Sequence, residues 1–256
     1  MIEIKNLTKA YDKQNVLENL NCKIKTGCVY GLVGANGAGK STLLRIINGV
    51  FKQDYGTILI DGKSNLDIDV KKQMVFLPDD LFFFSGYTLK QMASFYAALY
   101  TSFDMKYFYE LTRTFKLNEN VKIQSLSKGL KRQCAIICAL ATTAKYIFLD
   151  ETFDGLDPVI RNVVKKIIAK HMDNYETTII MTSHNLRELE DICDNLGLLY
   201  KGGILFESDI DTLKTNMFKV QISLKEELVP GENEAKETAP VAEVADTTPV
   251  EENKAE

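Results

Sequence analysis

The 256-residue sequence predicts an α/β fold: a parallel-sheet core with an N-terminal antiparallel β part and an inserted α-helical segment. Three observations carry that prediction. Short apolar runs alternate with segments of helical period from Ile2 to Leu224. One such run passes through a glycine-rich turn directly into a helix at 34–42. The stretch from about 80 to 144 holds helical periodicity with no strand candidate inside it.

The elements follow in order. IEI (2–4), VLENLNCKI (16–24) and CVYGLV (28–33) read as strands, the last closed by the glycine-rich turn. Lys40 to Gly49 reads as a helix stopped by Gly49. TILI (57–60) and MVFL (74–77) are strands, and Pro78 ends the second. Residues 89–100, 105–115 and 127–141 are helical, and YIFLD (146–150) returns the chain to strand. A helix from Pro158 to about Met172, a strand TIIMTSH (178–184) and a short helix at 185–194 come next. LGLLYKGGILFE (196–207) reads as a hairpin turning at Gly202-Gly203, and FKVQISL (218–224) as a final strand. Residues 1–225 thus form one domain with 80–144 inserted in it, and 226–256 a disordered tail rich in Glu, Ala, Thr, Pro and Val without an aromatic.

Charge placement narrows the function classes. The net charge is −4, yet Lys225–Glu256 alone holds ten acidic and three basic residues, leaving the body at +3. The overall −4 argues against a nucleic-acid partner, although the acidity lies in the tail. No uncharged apolar stretch reaches the ~20 residues of a spanning helix, and the charged start MIEIKNLTKAYDK has no signal-peptide core. Five cysteines without a CxxC fit free thiols in a reducing cytosol, with Cys134 and Cys138 as helix core rather than metal ligands. His171, on a polar helix end, reads as solvated.

GANGAGKST (34–42) matches G-x-x-x-x-G-K-[ST] in the required strand–turn–helix setting. Gly34, Gly37 and Gly39, with Asn36 and Ala38 between them, let backbone N–H groups converge on phosphate oxygens. Lys40 supplies a point charge, Ser41 a hydroxyl for Mg²⁺, and Thr42 continues the cradle into the helix. The pattern points to a nucleoside triphosphate. YIFLDE (146–151) ends in Asp150, placed to serve the Mg²⁺, and Glu151, placed to activate a water. Tyr11 is either a purine-stacking ring or a core tyrosine.

SLSKGLKRQ (125–133) resembles the signature motif of ATP-binding-cassette (ABC) ATPases, a branch of the P-loop NTPases. The order agrees with that family: Tyr11, the phosphate loop, LPDD (77–80) where the family has its Q-loop, the signature, YIFLDE, FDGLD (153–157) as D-loop, and His184 after a strand. The resemblance covers about residues 2–224. It implies ATP and Mg²⁺ as cofactors, Tyr11 on the base, Glu151 as base with Lys40 and His184 on the γ-phosphate, and Ser127 and Gly129 on the ATP of a second, head-to-tail nucleotide-binding domain. Asp157 would link the two sites. Two departures stand out. LSGGQ becomes Leu126-Ser127-Lys128-Gly129-Leu130, with Lys128 either meeting phosphate across the interface or facing solvent, and the Q-loop glutamine becomes Asp79, which joins Ser41 and Asp150 as a metal candidate. Both look similar to the ATPases of bacterial exporters. The expected protein is therefore the ATP-hydrolysing subunit of an ABC exporter, cytoplasmic and bound peripherally to the membrane through a separate integral permease. The family places that permease's docking element at Phe82-Phe83-Phe84, which burial between subdomains would equally explain. The rival is a soluble ABC-type ATPase without a membrane partner, working in translation or on nucleic acid.

Overall fold

Apolar runs that do not alternate with polar residues need cover on both faces, and these runs have it. The computed structural model describes residues 1–12 and 14–216. In it β3 (Val29–Val33), β6 (Met74–Leu77), β7 (Tyr146–Leu149), β8 (Thr178–Ser183) and β9 (Asn195–Tyr200) pair in parallel, and β10 (Gly203–Asp209) runs antiparallel at one edge. The strand order is β10-β9-β3-β8-β7-β6. Alternate residues feed two cores. Ile147 and Leu149 join one with Val75, Leu77, Ile179 and Met181, while Tyr146 and Phe148 join the other with Leu32 and Ile180.

The second core is closed by an antiparallel sheet, β2-β1-β4-β5, made of β1 (Ile2–Tyr11), β2 (Gln14–Ile24), β4 (Tyr55–Ile60) and β5 (Lys63–Ser64). β1 runs seven residues past the expected IEI. Its polar continuation is a strand with one solvated face, and the alternation is broken by register shifts around Asn6, whose φ is 51°. α1 (Lys40–Ile47) packs Leu43, Leu44, Ile46 and Ile47 into the same core.

The other face carries α3 (Leu89–Leu99), α4 (Met105–Thr114), α5 (Lys128–Ala141) and α6 (Pro158–Asn174). Each starts at a side-chain cap: Thr88 in a capping box with Gln91, then Asp104, Ser127 and Asp157. α2 (Ile68–Lys71), α7 (Leu186–Leu189) and α8 (Ile210–Asn216) are short. The hairpin β9–β10 turns at Lys201-Gly202, one residue before the expected Gly202-Gly203, because both turn residues take positive φ, 46° and 78°. The strand expected at 218–224 and the tail at 226–256 lie outside the described residues.

One expectation fails outright. His171 is not solvated but fully buried, with Nδ1 3.4 Å from the Tyr107 hydroxyl and Nε2 3.2 Å from Thr177 Oγ1. α6 turns it inward against α4, and burial pushes its pKa down to about 4. The neutral ring is therefore favoured by folding. Below the ordinary value of 6.5 the unfolded chain takes up a proton that the native state refuses, so stability present above that pH is lost as pH falls toward 4. Between pH 7 and 4.5 this costs roughly 2 kcal/mol. Urea melts of the wild type and His171→Leu at the two pH values should differ in their pH sensitivity by about that amount. Equal sensitivity would mean the ring titrates normally.

The cysteines behave as core. All five are free and buried, and burial pushes the Cys28 thiol up to about 11 and those of Cys22 and Cys134 up to about 12. Among the described residues no cluster of His, Cys, Asp and Glu is arranged to hold a metal by itself, and no helix is long and apolar enough to cross a membrane.

Candidate nucleotide site

The turn between β3 and α1 is built around backbone that side chains cannot share. Gly39 has φ 105°, and a Cβ there would lie 2.9 Å from the Leu17 side chain. At Gly34 a Cβ would lie 2.7 Å from the Leu199 carbonyl oxygen. The loop therefore lies tight against its neighbours and delivers Lys40 at the first turn of α1. Lys40 is 5% exposed. Its Nζ donates to Gly34 O at 2.7 Å and Ala35 O at 3.2 Å, and pairs with Glu151 Oε1 at 3.2 Å.

Beneath it, Asp150 follows β7 and is fully buried. Its Oδ1 accepts from Thr182 Oγ1 at 2.7 Å and Ser41 Oγ at 3.0 Å. Its Oδ2 is buried with no hydrogen-bond partner, and burial pushes the carboxyl pKa up. A buried carboxylate with an orphaned oxygen beside a serine hydroxyl is a donor set that fits a hard divalent cation, which would relieve the desolvation. Glu151 takes the left-handed φ of 45°, and its N–H donates to Thr182 Oγ1 at 2.9 Å. That backbone reversal turns its carboxylate from the strand end toward Lys40, while His184 Nδ1 lies 3.0 Å from Oε2. A carboxylate only accepts, so Nδ1 donates and Glu151 orients the ring.

These groups share a cleft of about 620 Å³ lined by Tyr11, Val16, Asn36, Gly37, Gly39, Lys40, Ser41, Thr42, Asp79, Glu151, Asp154 and His184. Tyr11 stands at its wall, 41% exposed, so it is not a core tyrosine. Phe51 meets its ring edge-on at 6.3 Å and Lys9 Nζ sits 5.2 Å from its centroid. Gly34, Ala38 and Asp150 support the cleft without lining it. Ser127 and Gly129 are not in the lining either. Ser127 caps α5 by accepting from Leu130 N at 3.4 Å, and a Cβ on Gly129 would lie 2.9 Å from Gly155 O. Asp157 caps α6.

Three features escape sequence reasoning. Lys128 faces solvent, one of its two expected placements, at 68% exposure, and there it also pairs with Asp154 at 2.7 Å, a hydrogen bond that holds the Asp154 carboxyl below its ordinary pKa. Thr182 bridges Asp150 and Glu151 from the next strand. Arg132, fully buried on α5, pairs with Asp79 at 2.5 Å. The only signal for it in the sequence is its place, directly after Lys131, at the head of the apolar helical run CAIICALA.

With this geometry in hand, comparison with known proteins is specific. Residues 17–154 match the family described as ABC transporter. The chain is 35% identical over 224 residues to the ABC transporter ATP-binding protein YtrB of Bacillus subtilis, covering 87% of this chain and 77% of that one. It is 31% identical to the lantibiotic transport ATP-binding protein SrtF of Streptococcus pyogenes, covering 82% and 92%. A solved ATP-binding subunit of an ABC transporter superposes with a TM-score of 0.76 at 26% identity, covering 84% of this chain and 92% of that one. The antiparallel sheet, the parallel sheet and the phosphate loop between strand and helix are the P-loop NTPase architecture of that structure. The chain belongs to the ABC transporter family, as one of its ATP-binding ATPase subunits.

Proposed function

We propose that this chain powers export of a substrate through a separate integral membrane permease, working on the cytoplasmic face as one of two head-to-tail nucleotide-binding domains. The observation that carries the reading is the convergence of Lys40, Glu151 and His184 on one cleft above the buried Asp150. Lys40 and the backbone of 34–42 hold the β- and γ-phosphates, and Tyr11 stacks on the base. Ser41 and Asp150 hold Mg²⁺, which supplies charge neutralisation on the phosphates when bound. Glu151 takes a proton from the attacking water as the bond to ADP breaks, and His184 positions that water with the γ-phosphate. Ser127 and Gly129, at the start of α5, present donors to the nucleotide of the opposing copy.

The membrane partner is supported by the surface beyond Asp79-Asp80. Phe83 and Phe84 are partly buried against the core, but Phe82 is 75% exposed. Phe82 meets Phe84 at 5.5 Å, and Phe84 meets Tyr87 at 5.0 Å and Phe95 at 4.9 Å, giving a continuous aromatic ridge. Export as the direction is supported by Lys128 and Asp79 at positions where the family has glycine and glutamine. The likeness to SrtF, a lantibiotic transport ATP-binding protein, supports transport more generally. The test is purification of tagged protein from gently solubilised cells. A stoichiometric integral membrane protein should co-purify with the wild type and be lost, by tenfold or about that, in Phe82→Glu. Ribosomes or no membrane partner in the wild-type fraction would replace this reading with a soluble ATPase.

A further inference from the structure

The geometry points to Arg132 and Asp79 as a pair of positioning residues that ties the nucleotide cleft to the signature helix α5, a role that rests on the ATPase reading and deepens it. A guanidinium keeps its proton, so a fully buried one needs a counter-charge. Asp79 supplies it at 2.5 Å, and Nη1 donates to Pro78 O at 3.3 Å. Nε is buried without a partner. Arg132 thus holds two consecutive residues of the loop that leaves β6, and among the described residues Asp79 is its one ion-pair partner. That same carboxylate is 49% exposed and lines the cleft with Lys40, Ser41 and Glu151.

One side chain is therefore both cleft wall and anchor of α5, whose first turn carries Ser127 and Gly129. Phosphate charge entering the cleft repels Asp79 toward Arg132 and tightens the anchor, which fixes the signature turn. This accounts for the departure at position 79. A glutamine amide there is neutral and leaves the buried guanidinium uncompensated, whereas a carboxylate matches it. It also assigns Asp79 to Arg132 rather than to the metal.

The test compares the full-length wild type with Asp79→Asn, Arg132→Met and the double variant by amide hydrogen exchange with and without ATP and Mg²⁺, alongside phosphate release. In the wild type, nucleotide should slow exchange both at 34–42 and at 127–133. The double variant leaves no buried charge unpaired, so it stays folded. It should keep protection at 34–42, lose the response at 127–133, and turn over about tenfold or more slowly at saturating ATP with KM within about threefold. Asp79→Glu should restore turnover. The proposal is overturned if the double variant retains the α5 response and wild-type turnover, which would make the pair purely structural. It is equally overturned if Asp79→Asn raises the Mg²⁺ requirement and Arg132→Met does not. Failure of the ATPase reading looks different: the wild type itself would show no protection at 34–42 and no phosphate release, and both would fall together.

Discussion

Glu151→Gln should leave ATP bound and slow phosphate release by about a hundredfold or more, the usual contribution of a positioned general base. Glutamine keeps the shape of the side chain and can still face both Lys40 Nζ, now 3.2 Å from Oε1, and His184 Nδ1, now 3.0 Å from Oε2. It cannot accept the proton of an attacking water. Binding should hold or tighten for an electrostatic reason. Glu151 is 14% exposed and pairs with Lys40, so an incoming phosphate competes with its carboxylate for the same buried ammonium. Removing the carboxylate's charge removes the competitor. Because ATP then persists, size-exclusion chromatography with light scattering should show a larger dimer fraction than in the wild type. Phosphate release at the wild-type rate would dismiss Glu151 as the base.

What the sequence discloses depends on whether the cause is local. β3, β6, β7 and β8 were legible because each is buried on both faces and so has no charged residue to blur the run. The end of β1 was not, since its outward residues are those of any polar loop, and a bulge at Asn6 breaks the period. Residues 34–42 and 146–151 could be read because backbone turn, charge and hydroxyl lie within a few positions of one another. The pairs Arg132–Asp79 and Lys128–Asp154 span 53 and 26 residues, and neither leaves a periodic trace. His171 misled for a related reason. Its helix-end neighbours are polar, while the Tyr107 and Thr177 that enclose it come from α4 and from the segment before β8. Chemistry carried by contiguous residues was visible, and chemistry carried by packing was not.

Lys40→Met should raise the Kd for ATP by about a hundredfold or more, equivalent to about 3 kcal/mol, because removing one partner of a buried charge pair costs that much or more. Methionine matches the stem of lysine and suits a helix, so α1 should persist. The loss falls on three acceptors. Gly34 O and Ala35 O lose the donor that holds the loop, and Glu151 keeps only His184. The phosphate then meets an unpaired carboxylate where an ammonium stood, so repulsion adds to lost attraction. That second term can be isolated. Adding Glu151→Gln to Lys40→Met should recover part of the affinity while leaving hydrolysis absent, and the non-additivity of the cycle measures how far the carboxylate opposes phosphate. Titration calorimetry gives the four constants, and circular dichroism melts show that each variant is folded. A Kd within about threefold of the wild type in a folded Lys40→Met would mean that the backbone of 34–42 binds phosphate without the lysine, contrary to the role proposed for it.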